Sequence, residues 1–386
     1  MQFETDRNTL LASARIAAKI APAHHIVDTL KGVLLEADGE TGELWLTATN
    51  GESTVRQKTD ANVRTGGGII VNARMFADML SLLRCERVRL HSDRKGSTTI
   101  TGDTCIYRIN HIGAEAFPVT ETGEAVAAGK LSEVCALARK TTFVIRDGET
   151  SPVMQCVQLV FRDGGVRAAG TGTCRAILTK GRAEPERECE ILVPAAALGK
   201  LAQVSQDTDT YEVAQTDSCV RFEREGLTFT AKKNTTGKFV DTEGIIGKIK
   251  PTHAAIVDAD AIRKALDLAS VSAAAGRKTE PTTVTLSEGK ILLKCTNEAS
   301  NAEIGVEAEV SNKQDKGFGY NAAWLSQAFG TISGKAKILV DGRGSLLIKA
   351  PAAKPESVYI QMPIHTPGGA EPEGSNDGDG QGEAAA

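Results

Sequence analysis

An internal repeat constrains the fold more than any other feature, because four kinds of segment recur three times in the same order along 386 residues. Each copy opens with an amphipathic helix and continues with an apolar strand and a second strand that runs into a threonine. A short strand then leads into a second helix, and a hairpin-like pair of strands closes the copy. The period of about 120 to 130 residues predicts three tandem domains of one α+β type.

Individual residues mark the three copies. The apolar strands contain Val33, Val157 and Val284, which lie 124 and 127 residues apart. Opening helices are predicted at 8–20, 131–140 and 261–270, and second helices are predicted after Asn72, Pro194 and Asn321. Asn72 suits an N-cap, and Pro194 suits the first helical turn. A chain of generic α+β domains that merely share a period is the alternative interpretation.

Composition and charge narrow the class of protein. Hydrophobic residues make up 41% and charged residues 24% of the chain, as in ordinary globular proteins. The formal net charge is -4, and residues 366–386 contain five acidic residues and no basic one, so the remainder is near +1. This balance excludes a uniformly basic nucleic-acid binder but allows separate basic and acidic surfaces. Residues 366–386 are predicted to be a disordered acidic Gly-rich tail.

No pattern of catalytic, metal-binding or phosphate-binding residues emerges. The six histidines lack HxxxH and HExxH spacing, and the eight cysteines include no CxxC pair. Gly170–Cys174 lacks the spacing of a P-loop, and Gly66–Gly68 is typical of a flexible turn. We therefore expect no enzyme activity of its own and no cofactor. The acidic start, the absence of a long apolar run and the scattered cysteines predict a cytoplasmic protein without a membrane segment.

Several short motifs carry a resemblance to a known family. They are Met1–Phe3, 30–35, Thr47–Asn50, Phe117–Pro118, Pro152–Met154 and the final strand 359–364. Together with the threefold repeat, they make residues 1 to about 365 similar to the bacterial DNA polymerase III beta subunit, the beta sliding clamp family. The resemblance is compatible both with a host's principal clamp and with a divergent or mobile-element version. The resemblance implies clamp domains at 1–122, 129–250 and 252–365, each with two helices packed on antiparallel sheets.

The resemblance also implies a function. A head-to-tail homodimer would form a ring around duplex DNA, would be placed there by a clamp loader, and would tether the replicative DNA polymerase and other proteins that carry a clamp-binding motif. Aromatic residues are only 4% of the chain, which disfavours a stacking platform for single strands. A non-catalytic, repeated β-rich structural or ligand-binding protein is the alternative function.

Basic residues on or next to the predicted helices are the candidates for contact with DNA phosphate, and His25 is added because the resemblance implies a basic residue at its position. Phosphate contacts carry no base information and weaken with salt, as a sliding ring requires. For each residue the alternative is that its charge only solvates a helix face. The candidates are Arg7, Arg15, Lys19, His25, Arg74, Lys140, Lys200, Arg263 and Lys264.

Family positions also imply a pocket for apolar anchors of partner peptides and a subunit seam. The seam residues are Tyr107 and Val271. The family's usual Thr-Asp-Gly-His-Arg-Leu is replaced by Thr171–Ala176, and its Phe-Pro-Asp is replaced by Phe239–Asp241, so we expect altered partner preference. A tail that covers or screens this pocket is a further hypothesis. The pocket candidates are Met154, Thr171, Thr173, Cys174, Arg175, Ala176, Val240, Ile245, Ser345, Ile360, Met362, Pro363 and Ile364.

Overall fold

The computed structural model describes residues 1–118, 123–146, 148–274, 281–297, 300–350 and 356–364. The predicted tail at 366–386 lies outside the described residues. The chain forms two compact units. The first comprises Met1–Gly170 and Thr179–Phe239, and the second comprises Thr171–Leu178 and the residues from Val240 onward.

Within the described residues, the first unit contains four α-helices. They are α1 (Arg7–Ile20), α2 (Ala73–Leu82), α3 (Val134–Thr141) and α4 (Ala195–Val204). The Asn72 side chain accepts a hydrogen bond from Met75 N at 2.9 Å, which confirms the predicted N-cap. Pro194 lies at the cap position immediately before α4 rather than inside its first turn.

One predicted helix start is wrong. Leu131 and Ser132 end a strand instead of opening α3, because Leu131 pairs with Tyr211 in a sheet. Glu133 then adopts a left-handed backbone with φ 57°, and the helix begins at Val134. The alternation of exposed Lys130 with buried Leu131 is a strand period, which the helical assignment of 131–140 overlooked.

The residues described in the first unit form two antiparallel sheets and part of a third. The strands are β1 (Gln2–Asp6), β2 (Gly32–Ala37), β3 (Leu44–Thr49), β4 (Ser53–Thr59), β5 (Asn62–Thr65), β6 (Gly67–Asn72), β7 (Arg87–Ser92), β8 (Ser97–Thr101), β9 (Ile106–Asn110), β10 (Ile112–Gly113), β11 (Val126–Ser132), β12 (Cys156–Arg162), β13 (Gly165–Thr171), β15 (Ala183–Pro185), β16 (Cys189–Pro194), β17 (Thr210–Gln215), β18 (Cys219–Arg224) and β19 (Leu227–Lys232). Strand β14 (Arg175–Gly181) begins in the second unit. The five-stranded sheet has the order β5-β1-β7-β8-β9, the ten-stranded sheet has the order β10-β6-β2-β3-β4-β19-β18-β17-β11-β15, and β16, β12 and β13 are neighbours.

Apolar side chains from helices and sheets fill the core of the first unit. Leu10 and Phe76 come from the helices, and Phe222 and Phe229 come from the ten-stranded sheet. The rings of Tyr211 and Phe222 meet edge to face with centroids 6.4 Å apart. Such burial supplies most of the stability of the unit.

The described part of the second unit forms three α-helices and a long antiparallel sheet. The helices are α5 (Thr242–Lys248), α6 (Ala259–Ala274) and α7 (Ala322–Phe329). The start of β14 opens the sheet order β14-β27-β26-β25-β20-β23-β22-β21-β24. The other strands are β20 (Pro251–Asp258), β21 (Thr282–Ser287), β22 (Lys290–Thr296), β23 (Asn301–Asn312), β24 (Phe318–Tyr320), β25 (Lys335–Asp341), β26 (Leu346–Lys349) and β27 (Ser357–Gln361).

The predicted α+β class is confirmed, with helices that pack in pairs on antiparallel sheets. The pairs are α1 with α2, α3 with α4, and α6 with α7, in the order that the repeat predicted. The domain boundaries at 1–122, 129–250 and 252–365 stay a prediction. Among the helices of the described residues, none combines the length and the apolar character needed to cross a membrane.

Candidate partner pocket and nucleic-acid interface

An apolar cluster in the second unit collects part of the predicted pocket. Buried Ala176 and Ile360 lie at its centre, and half-buried Ile245 and Met362 pack against them. Sequence reasoning missed the remaining members of this cluster. In the sequence, only their apolar character distinguishes them. These are Ile246, Ile249, Leu339, Leu347 and Val358.

The short helix α5 positions the isoleucines of this cluster. The Asp241 carboxylate accepts a hydrogen bond from Gly244 N at 2.9 Å, and Asp241 O accepts one from Ile245 N at 3.0 Å. Because α5 has only seven residues and two of them are glycines, it depends on this N-cap and on packing rather than on helix propensity. Val240, which precedes the cap, is half-buried.

Backbone hydrogen bonds fix the opposite wall. Met362 N donates to Cys174 O at 2.8 Å, and Ile364 N donates to Gly319 O at 2.8 Å. The end of β27 is therefore held against the segment that precedes β14. Cys174, Met362, Pro363 and Ile364 are half-buried, which leaves part of each side chain accessible to a ligand.

Arg175 is a buried cation beneath this wall. Its guanidinium lies over the Trp324 ring, 4.6 Å from the centroid, and donates to Gln327 Oε1 at 2.9 Å. Burial lowers the pKa of Arg175, and the neighbouring Tyr359 opposes that shift. Burial also raises the pKa of Tyr359, whose hydroxyl donates to Gln361 Oε1 at 2.7 Å. This network holds the floor of the pocket in one geometry.

The other predicted pocket residues differ in exposure. Thr171 and Ser345 are buried, Thr173 is exposed, and Ser345 N donates to Asp341 Oδ1 at 2.7 Å. Met154 belongs to the first unit, where it is half-buried, so its membership of the pocket stays a prediction.

The predicted DNA-contacting residues fall mainly on the helices, and their side chains are exposed or half-exposed. Arg7, Arg15 and Lys19 lie on α1, Arg74 on α2, Lys140 on α3, Lys200 on α4, and Arg263 and Lys264 on α6. His25 lies in the exposed loop after α1, where its Nδ1 accepts a hydrogen bond from Val27 N at 3.0 Å. Their role as phosphate contacts stays a prediction.

Some of these cations already have protein partners. Lys19 Nζ donates to Gln203 O at 2.6 Å, and Lys200 Nζ donates to Lys19 O at 3.0 Å. Burial lowers the pKa of Lys200. The exposed Arg139 of α3, which sequence reasoning missed, pairs with Asp207 at 3.4 Å. In the sequence, Arg139 could have been recognised as a candidate because it is a basic residue next to Lys140.

Apolar side chains are exposed at both predicted seam positions. In the first unit, Ile106 and Tyr107 on the outer strand β9 are 65% and 41% exposed. In the second unit, Leu268 and Val271 on one face of α6 are 60% and 68% exposed. Sequence reasoning named Tyr107 and Val271 but missed their neighbours, and exposed apolar surface of this kind commonly marks an interface.

A groove of about 540 Å³ adjoins Tyr107 within the first unit. Helix α2 forms one wall with exposed Met75 and Leu82 and buried Met79, and the loop after α1 forms another with Pro22. The lining is mostly apolar. No group of histidine, cysteine and acidic side chains within the described ranges is suited to bind a metal ion.

Comparison with known proteins places this architecture. Residues 1–121 match the family model of the DNA polymerase III beta subunit, N-terminal domain. The chain is 20% identical over 385 residues to a beta sliding clamp of Halalkalibacterium halodurans, which covers 95% of this chain and 100% of that protein. It is 22% identical over 387 residues to a beta sliding clamp of Bacillus subtilis, again across 95% and 100%.

Solved structures share the fold along the same length. The DNA polymerase sliding clamp from Bacillus subtilis superposes with a TM-score of 0.84 at 18% identity, covering 95% of this chain and 99% of that one. The DNA polymerase III subunit beta from Pseudomonas aeruginosa gives 0.84 at 20% identity, covering 95% and 100%. The family model over residues 1–121, the relatives along 95% of the chain and the shared fold all point to the DNA polymerase III beta subunits, the beta sliding clamps.

Proposed function

We propose that this protein works as a DNA sliding clamp, a homodimeric ring that encircles duplex DNA and tethers replicative DNA polymerase and other partners. The observation that carries the proposal is the similarity to beta sliding clamps along 95% of the chain. The ring acts without chemistry of its own, as a processivity factor. Tethering raises the effective concentration of a partner at the DNA, which replaces repeated rebinding by an intramolecular step.

Attraction between basic side chains and DNA phosphate does not depend on the base sequence, which supports sliding. Exposed Arg15 and Arg74 on the first two helices, together with Lys264 on α6, offer charges that attract phosphate from any sequence. No stacking aromatic or base-reading loop is required, so contacts exchange freely as the duplex moves. Duplex DNA is therefore the partner that fits these helices.

Two exposed apolar surfaces support a head-to-tail dimer. Leu268 and Val271 of one copy fit the chemistry of the groove beside Tyr107 of a second copy, because both surfaces are apolar and both are open in the single chain. A heterologous contact of this kind closes into a ring when its rotation brings the last copy back to the first. Two copies then bury two identical seams.

The apolar pocket of the second unit supports partner binding by short peptides. Apolar anchors dominate such interfaces, and half-buried Ile245 and Met362 would cover a Leu or Phe side chain placed over Ala176. The clamp loader, the polymerase and other motif-bearing proteins would compete for this pocket. A cytoplasmic location follows from this role.

A topological assay tests the proposed ring. The protein is loaded onto nicked circular DNA by a clamp loader, and the complex is separated from free protein by gel filtration. We expect retention on the circle and loss after the circle is cut, because a ring slides off an end. Equal retention before and after cutting would refute the proposal and favour a surface-binding protein.

A peptide assay tests the pocket separately. A fluorescent peptide with a Leu and a Phe anchor is titrated with the wild type, with Ile245→Asp and with the matched control Ile26→Asp, whose isoleucine is fully exposed in the first unit. We expect at least about tenfold weaker binding for Ile245→Asp, since one lost aliphatic anchor contact contributes about 1.4 kcal/mol or more. Equal affinities for the two variants would place the peptide elsewhere.

A further inference from the structure

The C-terminal ends of α1 and α4 meet within the first unit and exchange lysine hydrogen bonds. Lys19, in the last turn of α1, donates from Nζ to Gln203 O in the last turn of α4 at 2.6 Å. Lys200, on α4, donates from Nζ to Lys19 O at 3.0 Å. Each helix therefore supplies a cation that binds one terminal carbonyl of the other.

Helix termini explain why lysines are needed at this place. The last four carbonyls of an α-helix have no partner within the helix, and the C-terminal end carries roughly half a negative charge. Two such ends close together repel each other. At the end of α4 the Ser205 hydroxyl donates to Leu201 O at 2.6 Å, and Lys19 Nζ donates to Gln203 O. Two terminal carbonyls of this helix therefore have side-chain hydrogen-bond donors.

Lys19 and Lys200 differ from Arg15 and Arg74 in what surrounds their charged groups. Arg15 points from α1 into solvent, and Arg74 is exposed on α2, so both can approach a phosphate freely. The ammonium groups of Lys19 and Lys200 instead lie against partial negative charge from the backbone. A phosphate would have to compete with carbonyl oxygens that are already in place.

We propose that Lys19 and Lys200 form a reciprocal clasp that fixes the packing of α1 against α4, and that they serve the geometry of the joint between the first two repeats instead of attracting DNA. Any effect of this joint on the curvature of a ring rests on the proposed function. The clasp itself does not depend on that function, because both lysines and both acceptor carbonyls lie in the first unit. The remaining basic residues would then supply the salt-dependent attraction.

Hydrogen exchange on the full-length protein tests the clasp directly. Lys200→Met keeps the length of the side chain and removes the donor, while Lys140→Met removes a half-exposed cation of α3 as the matched control. We expect faster exchange in the last turns of both α1 and α4 for Lys200→Met and a melting temperature lower by about 2–4 °C. Lys200→Arg restores a donor and should recover most of the protection.

The salt dependence of duplex binding provides the second readout. Loss of one phosphate contact lowers the slope of log affinity against log salt by about 0.9, so Lys140→Met should show this change if that residue faces DNA. For Lys200→Met we expect an unchanged slope. An unchanged exchange pattern would overturn the clasp, and a slope that falls by about 0.9 for Lys200→Met would overturn the claim that this lysine does not attract DNA. If the wild type fails to encircle DNA, the exchange experiment still decides the clasp on its own.

The double variant Lys19→Met/Lys200→Met adds a test of reciprocity. If the two bonds close one joint, the first substitution already loosens it, and the second adds less than its separate effect on melting temperature. Fully additive shifts would mean two independent surface contacts and would overturn the reciprocal clasp.

Discussion

Replacing Val271 by aspartate is the sharpest test of the proposed seam. Val271 is 68% exposed in the single chain, so its burial in a dimer would contribute about 1–2 kcal/mol, and desolvating a carboxylate at the same place would cost at least about 1 kcal/mol more. The loss is therefore about 2–3 kcal/mol per seam. A head-to-tail dimer has two identical seams, which gives about 4–6 kcal/mol and a dissociation constant raised about 10³- to 10⁴-fold.

Sedimentation velocity over a range of protein concentrations measures this effect. We expect the wild type to sediment at twice the chain mass of 40.7 kDa and Val271→Asp to sediment as the single chain at micromolar concentration. Val126→Asp is the matched control, because Val126 is 48% exposed on β11 and should leave the dimer intact. A Val271→Asp protein that stays dimeric at nanomolar concentration would refute the seam.

Three further substitutions test the cap, an ion pair and the core. Asp241→Ala removes the N-cap of α5, which should destabilise that helix by about 1 kcal/mol and weaken binding of an anchor peptide in a fluorescence titration; unchanged affinity would mean that α5 does not form the pocket. Hydrogen bonds from Arg89 and Arg87 lower the pKa of Glu4, so its contribution to stability is present above the ordinary value of 4.5 and is lost as pH falls through the lowered value. Glu4→Gln should therefore flatten the acid side of a plot of melting temperature against pH, and superimposable plots would contradict this. Phe222→Ala should lower the free energy of unfolding in urea by about 3–5 kcal/mol, and a loss below about 1 kcal/mol would remove Phe222 from the core.

The repeated order of helices and strands was readable from the sequence because each element has its own period. The helical spacing of Leu10, Ala14 and Ala17 corresponds to the buried face of α1, and Asn72 caps α2 as expected. Leu131 misled the helix assignment because a strand runs almost directly into α3, and the break depends on the left-handed backbone of Glu133. Periodicity does not show such a single-residue break.

The candidate sites were less predictable, because they depend on contacts between distant parts of the chain. Ile245 was named from family position, but its supporting partners Leu347 and Val358 come from strands about a hundred residues later. Lys19 and Gln203 O are 184 residues apart in sequence, and no local pattern reveals that a basic helix residue binds a distant helix end. The number of lysines therefore predicts a basic surface, but it does not show which ammonium groups already bind backbone carbonyls.

The membership of Thr171–Leu178 in the second unit has a consequence for how the chain can be dissected. These residues supply the start of β14, the neighbour of β27 in the sheet of that unit. A fragment cut at the predicted repeat boundary near residue 251 would lose this strand and leave β27 with unpaired backbone groups along one edge, which promotes self-association. Adding a synthetic peptide of residues 171–178 should cover that edge and reduce the self-association of such a fragment.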